Sequence, residues 1–258
     1  MNNTLTKKFC DFKAAGRKVT ALTAYSYPFA RLLDETELDI LLVGDSLSMV
    51  EMGNIDTVDT SLEDMIHHLK MVRRAVKQTL LVADLPAMSY ETPEEAERAA
   101  RLLIEAGAEA VKLEGGQAKQ AIIRHLTDCD IAVMAHIGML PQHIREEGSY
   151  RIKGKTPEQR DYILEDAQAI EAAGAFAVVL ELVHPPLSRE ISDLLKIPTI
   201  GIGSGMECDG QILVTYDLIG LSPWFKPRFV EPKAQVAGEI QRAVQEFIAE
   251  TRNPVREP

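Results

Sequence analysis

Five apolar runs in this chain each end on a side chain able to hold charge or move a proton. They are Ile40-Leu-Leu-Val-Gly-Asp45, Leu80-Leu-Val-Ala-Asp84, Ala110-Val-Lys-Leu-Glu114, Ala132-Val-Met-Ala-His136 and Ala177-Val-Val-Leu-Glu181. Side chains alternate faces along a strand, so Ala110, Lys112 and Glu114 share one face while Val111 and Leu113 share the other. Buried charges are rare without a partner or a metal. A converging ring of carboxylates with one Lys and one His therefore implies a cation and a polar ligand at its centre. Acids without Cys, and with His not at ligand spacing, favour a hard divalent ion, Mg2+ first, which commonly keeps waters and substrate oxygens among its ligands. A 2-oxo acid chelates such an ion through its carboxylate and keto oxygens, polarising the carbonyl. Lys112 then neutralises the substrate carboxylate, and a further acid outside the metal shell is free to act as base at the carbon beside the ketone. Three inward acids are expected to repel one another, so that losing Asp84 raises the melting temperature of the metal-free protein.

The alternative to chemistry is a structural ion pair at a strand end. His136 fits a hydrogen-bonded structural role as well as a chemical one. His67 and His68 are neighbours on a helix and face different directions, and His125, His143 and His184 show no usable spacing. Cys10, Cys129 and Cys208 are odd in number and widely separated, with no C-x-x-C pair, which argues against a disulfide framework and a zinc site.

The elements that must carry these side chains alternate strand and helix, the pattern of a parallel sheet. At 258 residues the chain fits one (β/α)8 TIM barrel, in which active sites gather at strand C-termini. A polar helix near Thr4 to Ala15, closed by Gly16, precedes the first strand, Val19 to Ala24, and is placed to plug the barrel floor. Thr92-Pro-Glu-Glu95 and Thr156-Pro-Glu-Gln159 open two helices with an N-cap Thr, a Pro in the first turn and a capping-box partner. Those helices end at Gly107 and Gly174, each seven residues before a strand-end Glu, Glu114 or Glu181. Equivalent places in two units thus carry an acid. The 46–60 loop follows Asp45 directly and is a candidate lid, with Ser61 and Asp64 capping the next helix. The seventh strand, Pro198 to Ile202, leads to Gly203-Ser-Gly205, whose backbone N–H groups are placed to meet an anion. A short strand from Ile212 to Thr215 and an amphipathic helix from Ala234 to Ala249 close a single domain, with residues 251–258 as a frayed tail.

Hydrophobic residues make up 46% of the chain and charged residues 26%, enough for a sizeable core. The net charge of −11 provides no basic surface for nucleic acid or acidic lipid. The first residues lack the apolar centre of a signal peptide, and no apolar run reaches the roughly 18 residues of a membrane span. Together with the free cysteines, this gives the expectation of a soluble cytoplasmic protein.

Gly44-Asp-Ser-Leu-Ser-Met49, Leu81-Val-Ala-Asp-Leu-Pro86, Val111-Lys-Leu-Glu-Gly-Gly116, His136-Ile-Gly138 with Pro141-Gln142, and Gly201-Ile-Gly-Ser-Gly205 with Cys208-Asp-Gly-Gln211 resemble, in collinear order, the ketopantoate hydroxymethyltransferase family. The resemblance implies a TIM barrel of the phosphoenolpyruvate/pyruvate class with an extra N-terminal helix. It implies transfer of a hydroxymethyl group from 5,10-methylenetetrahydrofolate to 3-methyl-2-oxobutanoate, giving 2-dehydropantoate (ketopantoate) for pantothenate and coenzyme A synthesis. Carried over by position, Asp45, Asp84 and Glu114 match metal positions, some acting through water. Asp45, Ser46, Asp84 and Lys112 match substrate contacts, Glu181 matches the general base, and His136 matches a pocket residue. A homo-oligomer, a decamer of pentameric rings, is also implied. Ser48, Asn54-Ile-Asp56 and Lys153 depart from the family's usual residues and put loop geometry in question. The competing readings are another Mg2+-dependent 2-oxo acid lyase or mutase of the same barrel class, and a non-catalytic oxo-acid binder.

Overall fold

The computed structural model describes residues 2–253. Eight parallel strands close into a barrel in sequence order: β1 (Val19–Thr23), β2 (Ile40–Val43), β3 (Leu80–Asp84), β4 (Ala110–Glu114), β5 (Val133–Gly138), β6 (Ala177–Glu181), β7 (Thr199–Ile202) and β8 (Gly210–Leu213). Helices α1 (Asn2–Ala14), α2 (Tyr27–Asp34), α3 (Leu47–Val50), α4 (Leu62–Arg73), α5 (Pro93–Ala106), α6 (Gln120–Asp128), α7 (Ile144–Glu147), α8 (Pro157–Ala172), α9 (Pro185–Leu194), α10 (Thr215–Leu218) and α11 (Val236–Arg252) lie between and after them. The chain packs as two compact units, Met1–Ile212 and Leu213–Pro258. No helix among the described residues is long and apolar enough to cross a membrane.

The barrel interior follows from period two. Val19, Ala21, Ile40, Leu42, Leu80, Val82, Ala110, Met134, Ala177, Val179, Ile200 and Ile212 share one apolar cluster, joined by Phe9 of α1 and by Phe176. The Phe9 and Phe176 rings lie 5.2 Å apart, so the first helix does plug the floor. In β3 and β4 every residue is buried, on both faces, because the outward positions lie beneath the helices. The next inward positions above the apolar cluster are Asp84, Lys112, Glu114, His136 and Glu181. Polar chemistry therefore sits on top of a packed floor.

The caps form where the sequence places them. Thr92 and Glu95 make a full capping box, as do Ser61 and Asp64. Thr156 caps α8 through the Gln159 N–H, but the Gln159 side chain accepts from the Gly154 and Lys155 N–H groups instead of completing the box. Gly107 and Gly174 both adopt positive φ.

Several boundaries differ from expectation. The eighth strand begins at Gly210, two residues early, because a Cβ there would lie 2.4 Å from the Val19 carbonyl oxygen; only Gly permits that approach between the last strand and the first. The 46–60 stretch is not structureless, since it contains α3. Ser204 of the glycine turn is buried; its hydroxyl donates to the Leu180 carbonyl and accepts from the Val183 N–H, so this turn braces the end of β6. Helix α11 forms, yet Ile240, Val244 and Phe247 remain exposed and none of its residues is buried. Thr251 and Arg252 belong to α11; of the expected tail, 254–258 lies outside the described residues.

Candidate active site

Strand register decides which side chains meet. Asp84 is paired in register with Lys112, Glu114 with His136, and Gly138 with Glu181. Neighbouring strands lie about 4.8 Å apart, so register partners on one face come within contact range. Lys112 Nζ donates to Asp84 Oδ1 at 2.6 Å, with both side chains buried. His136 lies between two acids, Nδ1 3.5 Å from Glu114 Oε1 and Nε2 3.4 Å from Glu181 Oε2. It stands inside β5, not at its end, and is 2% exposed.

Asp45 lies two residues beyond β2. Its N–H donates to Asp84 Oδ2 at 3.0 Å, which ties the two acids through the backbone. Burial first, then the Asp84 charge, pushes the Asp45 carboxyl well above its ordinary pKa. Burial disfavours the Lys112 ammonium, but Asp84, Asp45 and Glu114 outweigh it and raise its pKa. For His136 burial again opposes charge, and the flanking Glu114 and Glu181 carboxylates overcome it, raising the pKa to about 9. Glu114 is lowered, against its own burial, by the facing His136. Two cationic groups thus face four carboxylates in one enclosure. Burial and the Asp84 charge disfavour an ionised Asp45, so a divalent cation bound here would favour the ionised form of that carboxyl.

The atoms left over fit such an ion. Asp84 spends one oxygen on Lys112 and the other on the Asp45 N–H. Asp45 Oδ2 and Glu114 Oε2 accept from Gln142, while Glu114 Oε1 is buried without a hydrogen-bond partner. All are hard oxygens. Among the described residues these three acids do not form a group whose ligand atoms all lie within 4.8 Å of one another.

Gln142 has no role that the sequence alone assigns, and the structure supplies one. From the turn after β5 its Nε2 donates to Asp45 Oδ2 at 2.8 Å and to the Leu85 carbonyl at 3.0 Å, and its N–H donates to Glu114 Oε2 at 3.0 Å. The Tyr90 hydroxyl donates to its Oε1. One residue, through its side-chain amide and its backbone N–H, therefore spaces two of the three acids. The Pro141-Gln142 pair shortly after the end of a strand was the available signal, but nothing local in the sequence names its partners. Tyr150 was likewise missed; burial and the nearby Glu181, Asp45 and Glu114 charges push its phenol up.

Ser46 is turned to Tyr25, with hydroxyls 2.8 Å apart. His68 Nδ1 donates to the Tyr25 carbonyl at 2.7 Å, which fixes its ring in a structural role. Glu181 is held by its own backbone: the Met139 N–H donates to its carbonyl at 2.8 Å, and a Cβ on Gly138 would meet that oxygen at 2.4 Å. Leu182, next in line, takes φ +47. Such a conformation in a non-Gly residue costs on the order of 1–3 kcal/mol and persists only where the surroundings enforce it.

The residues that depart from the family pattern join the loops. Ser48 Oγ donates to the Asp56 carbonyl and accepts from Asn54 Nδ2. Arg145 forks onto both oxygens of Asp56 and both of Asp59, at 2.6–3.0 Å, and Lys153 pairs with Glu147.

A closed parallel barrel whose upper, inward positions carry acids, one Lys and one His is a TIM barrel of the enzyme type. A phosphoenolpyruvate phosphomutase from Streptomyces platensis subsp. rosaceus shares this fold, with a TM-score of 0.65 over 96% of this chain and 87% of that one, at 15% identity. The chain belongs to the ketopantoate hydroxymethyltransferase family, whose model matches residues 3–255. It is 48% identical over 242 residues to the 3-methyl-2-oxobutanoate hydroxymethyltransferase of Geobacter metallireducens, covering 93% of this chain and 91% of the relative. It is 48% identical over 250 residues to that of Trichodesmium erythraeum, covering 96% and 95%.

Proposed function

We infer that this chain adds a hydroxymethyl group from 5,10-methylenetetrahydrofolate to carbon 3 of 3-methyl-2-oxobutanoate, forming ketopantoate for pantothenate and coenzyme A synthesis. The observation that carries the reading is the separation of roles within one enclosure. Asp84 is tied to Lys112 and to the Asp45 N–H, Glu114 faces His136 Nδ1 through Oε1, and Glu181 stands on the other side of His136.

In this reading Asp45, Asp84 and Glu114 hold Mg2+, partly through water. When bound, the ion supplies Lewis acidity to the oxo group. Lys112 meets the substrate carboxylate with Asp84 steadying its ammonium, and Asp45 and Ser46 line the same side. Glu181 takes the proton from carbon 3, leaving the electron pair for the new carbon–carbon bond. His136, charged near neutral pH by its two acids, is not free to accept that proton; it orients Glu181 and Glu114 and balances their charge. A lyase or mutase acting on a 2-oxo dicarboxylate needs a further buried cation for its second carboxylate. Among the described residues Lys112 and His136 are the buried basic side chains, and His136 is occupied. A passive binder has no use for Glu181.

A cytoplasmic homo-oligomer, the decamer implied by the family resemblance, completes the proposal; the exposed Ile240, Val244 and Phe247 of α11 support association, and light scattering of the purified protein tests it. For the reaction, enzyme, Mg2+ and 3-methyl-2-oxobutanoate in D2O should exchange the hydrogen at carbon 3 with no folate present. Glu181→Gln should lose that exchange by ~10²–10⁴, the usual worth of general-base catalysis, while still binding the oxo acid. Retention of more than about a tenth of the wild-type exchange removes Glu181 as the base. Failure of the wild type to form ketopantoate when folate is supplied overturns the reading itself.

A further inference from the structure

We propose that Glu97, His125 and Cys129 form a second cation site, on the outer helical layer, for a thiophilic divalent ion of the zinc type. The cysteines are widely separated along the chain, and the spacing of His125 to other candidate ligands is not that of a zinc motif. His125 and Cys129 are four residues apart, which puts both on one face at the end of α6, and the Cys129 N–H donates back to the His125 carbonyl as the helix closes. Glu97 reaches the same point from α5.

The donor atoms already converge. Glu97 Oε2 is 2.7 Å from His125 Nε2 and Cys129 Sγ is 4.0 Å from the same nitrogen; one ligand atom from each residue lies within 4.8 Å of the others. Zinc bonds of about 2.0–2.3 Å in a tetrahedron set donors roughly 3.3–3.6 Å apart. The Glu97–His125 pair must therefore open by about 0.6 Å and the His125–Cys129 pair close by about 0.5 Å. Glu97 and Cys129, within 4.8 Å of each other, must close by up to about 1.3 Å, within reach of side-chain rotations. Among the described residues this is the group of three or more such donors that meets the spacing.

Chemistry selects the ion. A thiolate, an imidazole and one carboxylate oxygen suit zinc and not magnesium or calcium, and three protein ligands leave the fourth position to water. Arg101 holds the other Glu97 oxygen, Oε1, at 2.6 Å, which orients Oε2 toward His125 and Cys129 without occupying it. The Cys129 thiol gives up its proton to solvent as the metal–sulfur bond forms, and His125 binds in its neutral form, so affinity falls with falling pH. No oxidant or reductant takes part. The bound ion would tie α5 to α6.

Cobalt titrated into the reduced full-length protein tests this. Cobalt also enters the carboxylate-lined barrel mouth, but only a thiolate ligand yields a sulfur-to-cobalt charge-transfer band in the near ultraviolet. That band should appear, saturate, and disappear when zinc is added. Cys129→Ser and His125→Gln should abolish it, and Glu97→Gln should weaken cobalt affinity by about tenfold or more. Cys10→Ser, Cys208→Ser and Asp84→Ala should retain it, which separates this site from the barrel mouth. Absence of the band in the wild type, or its persistence in Cys129→Ser, overturns the proposal. Circular dichroism melts of Cys129→Ser and His125→Gln without metal should match the wild type, so that a lost band reports lost ligation; if both variants are unfolded, Glu97→Gln carries the test, and unchanged cobalt affinity there overturns the site.

Discussion

Lys112 Nζ sits 2.6 Å from Asp84 Oδ1, and neither side chain is more than 6% exposed. This pairing argues against the expectation that losing Asp84 relieves repulsion, because the residue left behind is a buried ammonium without its hydrogen-bond partner, with only the Asp45 and Glu114 charges still near it. Breaking one side of a buried ion pair costs about 3–5 kcal/mol. Asp84→Ala is expected to lower the melting temperature of the metal-free protein and to abolish ketopantoate formation. Asp84→Ala combined with Lys112→Met should recover part of the stability and none of the activity. Lys112→Met alone should raise the KM for the oxo acid about tenfold or more, since a hydrogen bond to a charged group is worth roughly 1.5–3 kcal/mol. Thermal unfolding and initial-rate assays of the three variants measure both effects, and an Asp84→Ala protein as stable as the wild type would refute the first.

Gln142 spaces Asp45 from Glu114 through its side-chain and backbone N–H groups. Gln142→Leu keeps the backbone contact, removes the amide, and leaves the Tyr90 hydroxyl without its acceptor. Groups that orient metal ligands typically contribute 10–100-fold in affinity or activity, so Mg2+ affinity by calorimetry should fall by about that range. An unchanged affinity assigns Gln142 to packing.

Asp34, at the end of α2, accepts from the N–H groups of Lys77, Gln78 and Thr79 at 2.9–3.1 Å. Burial opposes its ionisation, but the three amides prevail and hold its pKa below the ordinary value. The unfolded chain restores a value near 3.9. A depressed native pKa gives stability that is fully present above the unfolded value and lost as pH falls through the folded one. Asp34→Asn should therefore cost about 1.5–3 kcal/mol at neutral pH, with the gap to wild type closing at strongly acid pH. Urea unfolding at several pH values measures it, and a gap independent of pH would contradict the assignment.

Arg145 bridges the 46–60 loop to α7 through Asp56 and Asp59, and holds both carboxyls below their usual range. Arg145→Ala should release the loop, raising amide hydrogen exchange across residues 53–60 while leaving that of β2 unchanged. Equal protection in both proteins would mean that Ser48 and Asn54 suffice to hold it.

The sequence by itself determined the elements and the list of acids. Alternating runs placed Lys112 and Glu114 on one face, paired caps marked two equivalent units, and collinear motifs named the family. Each of those signals is local: period two, helix caps and short spacings are set by neighbouring residues along the chain. Only the tertiary structure decided who meets whom. Register across β3, β4 and β5 is fixed by closure of the whole barrel, so the union of Asp84 with Lys112 and of His136 with both Glu114 and Glu181 could not be read from any single strand. Gln142 enters from a loop, and Glu97 reaches His125 from a different helix; such contacts depend on where two distant segments pack. The beginning of β8 at Gly210 has the same origin, since the clash that excludes a side chain there comes from Val19, at the far end of the sheet's sequence order.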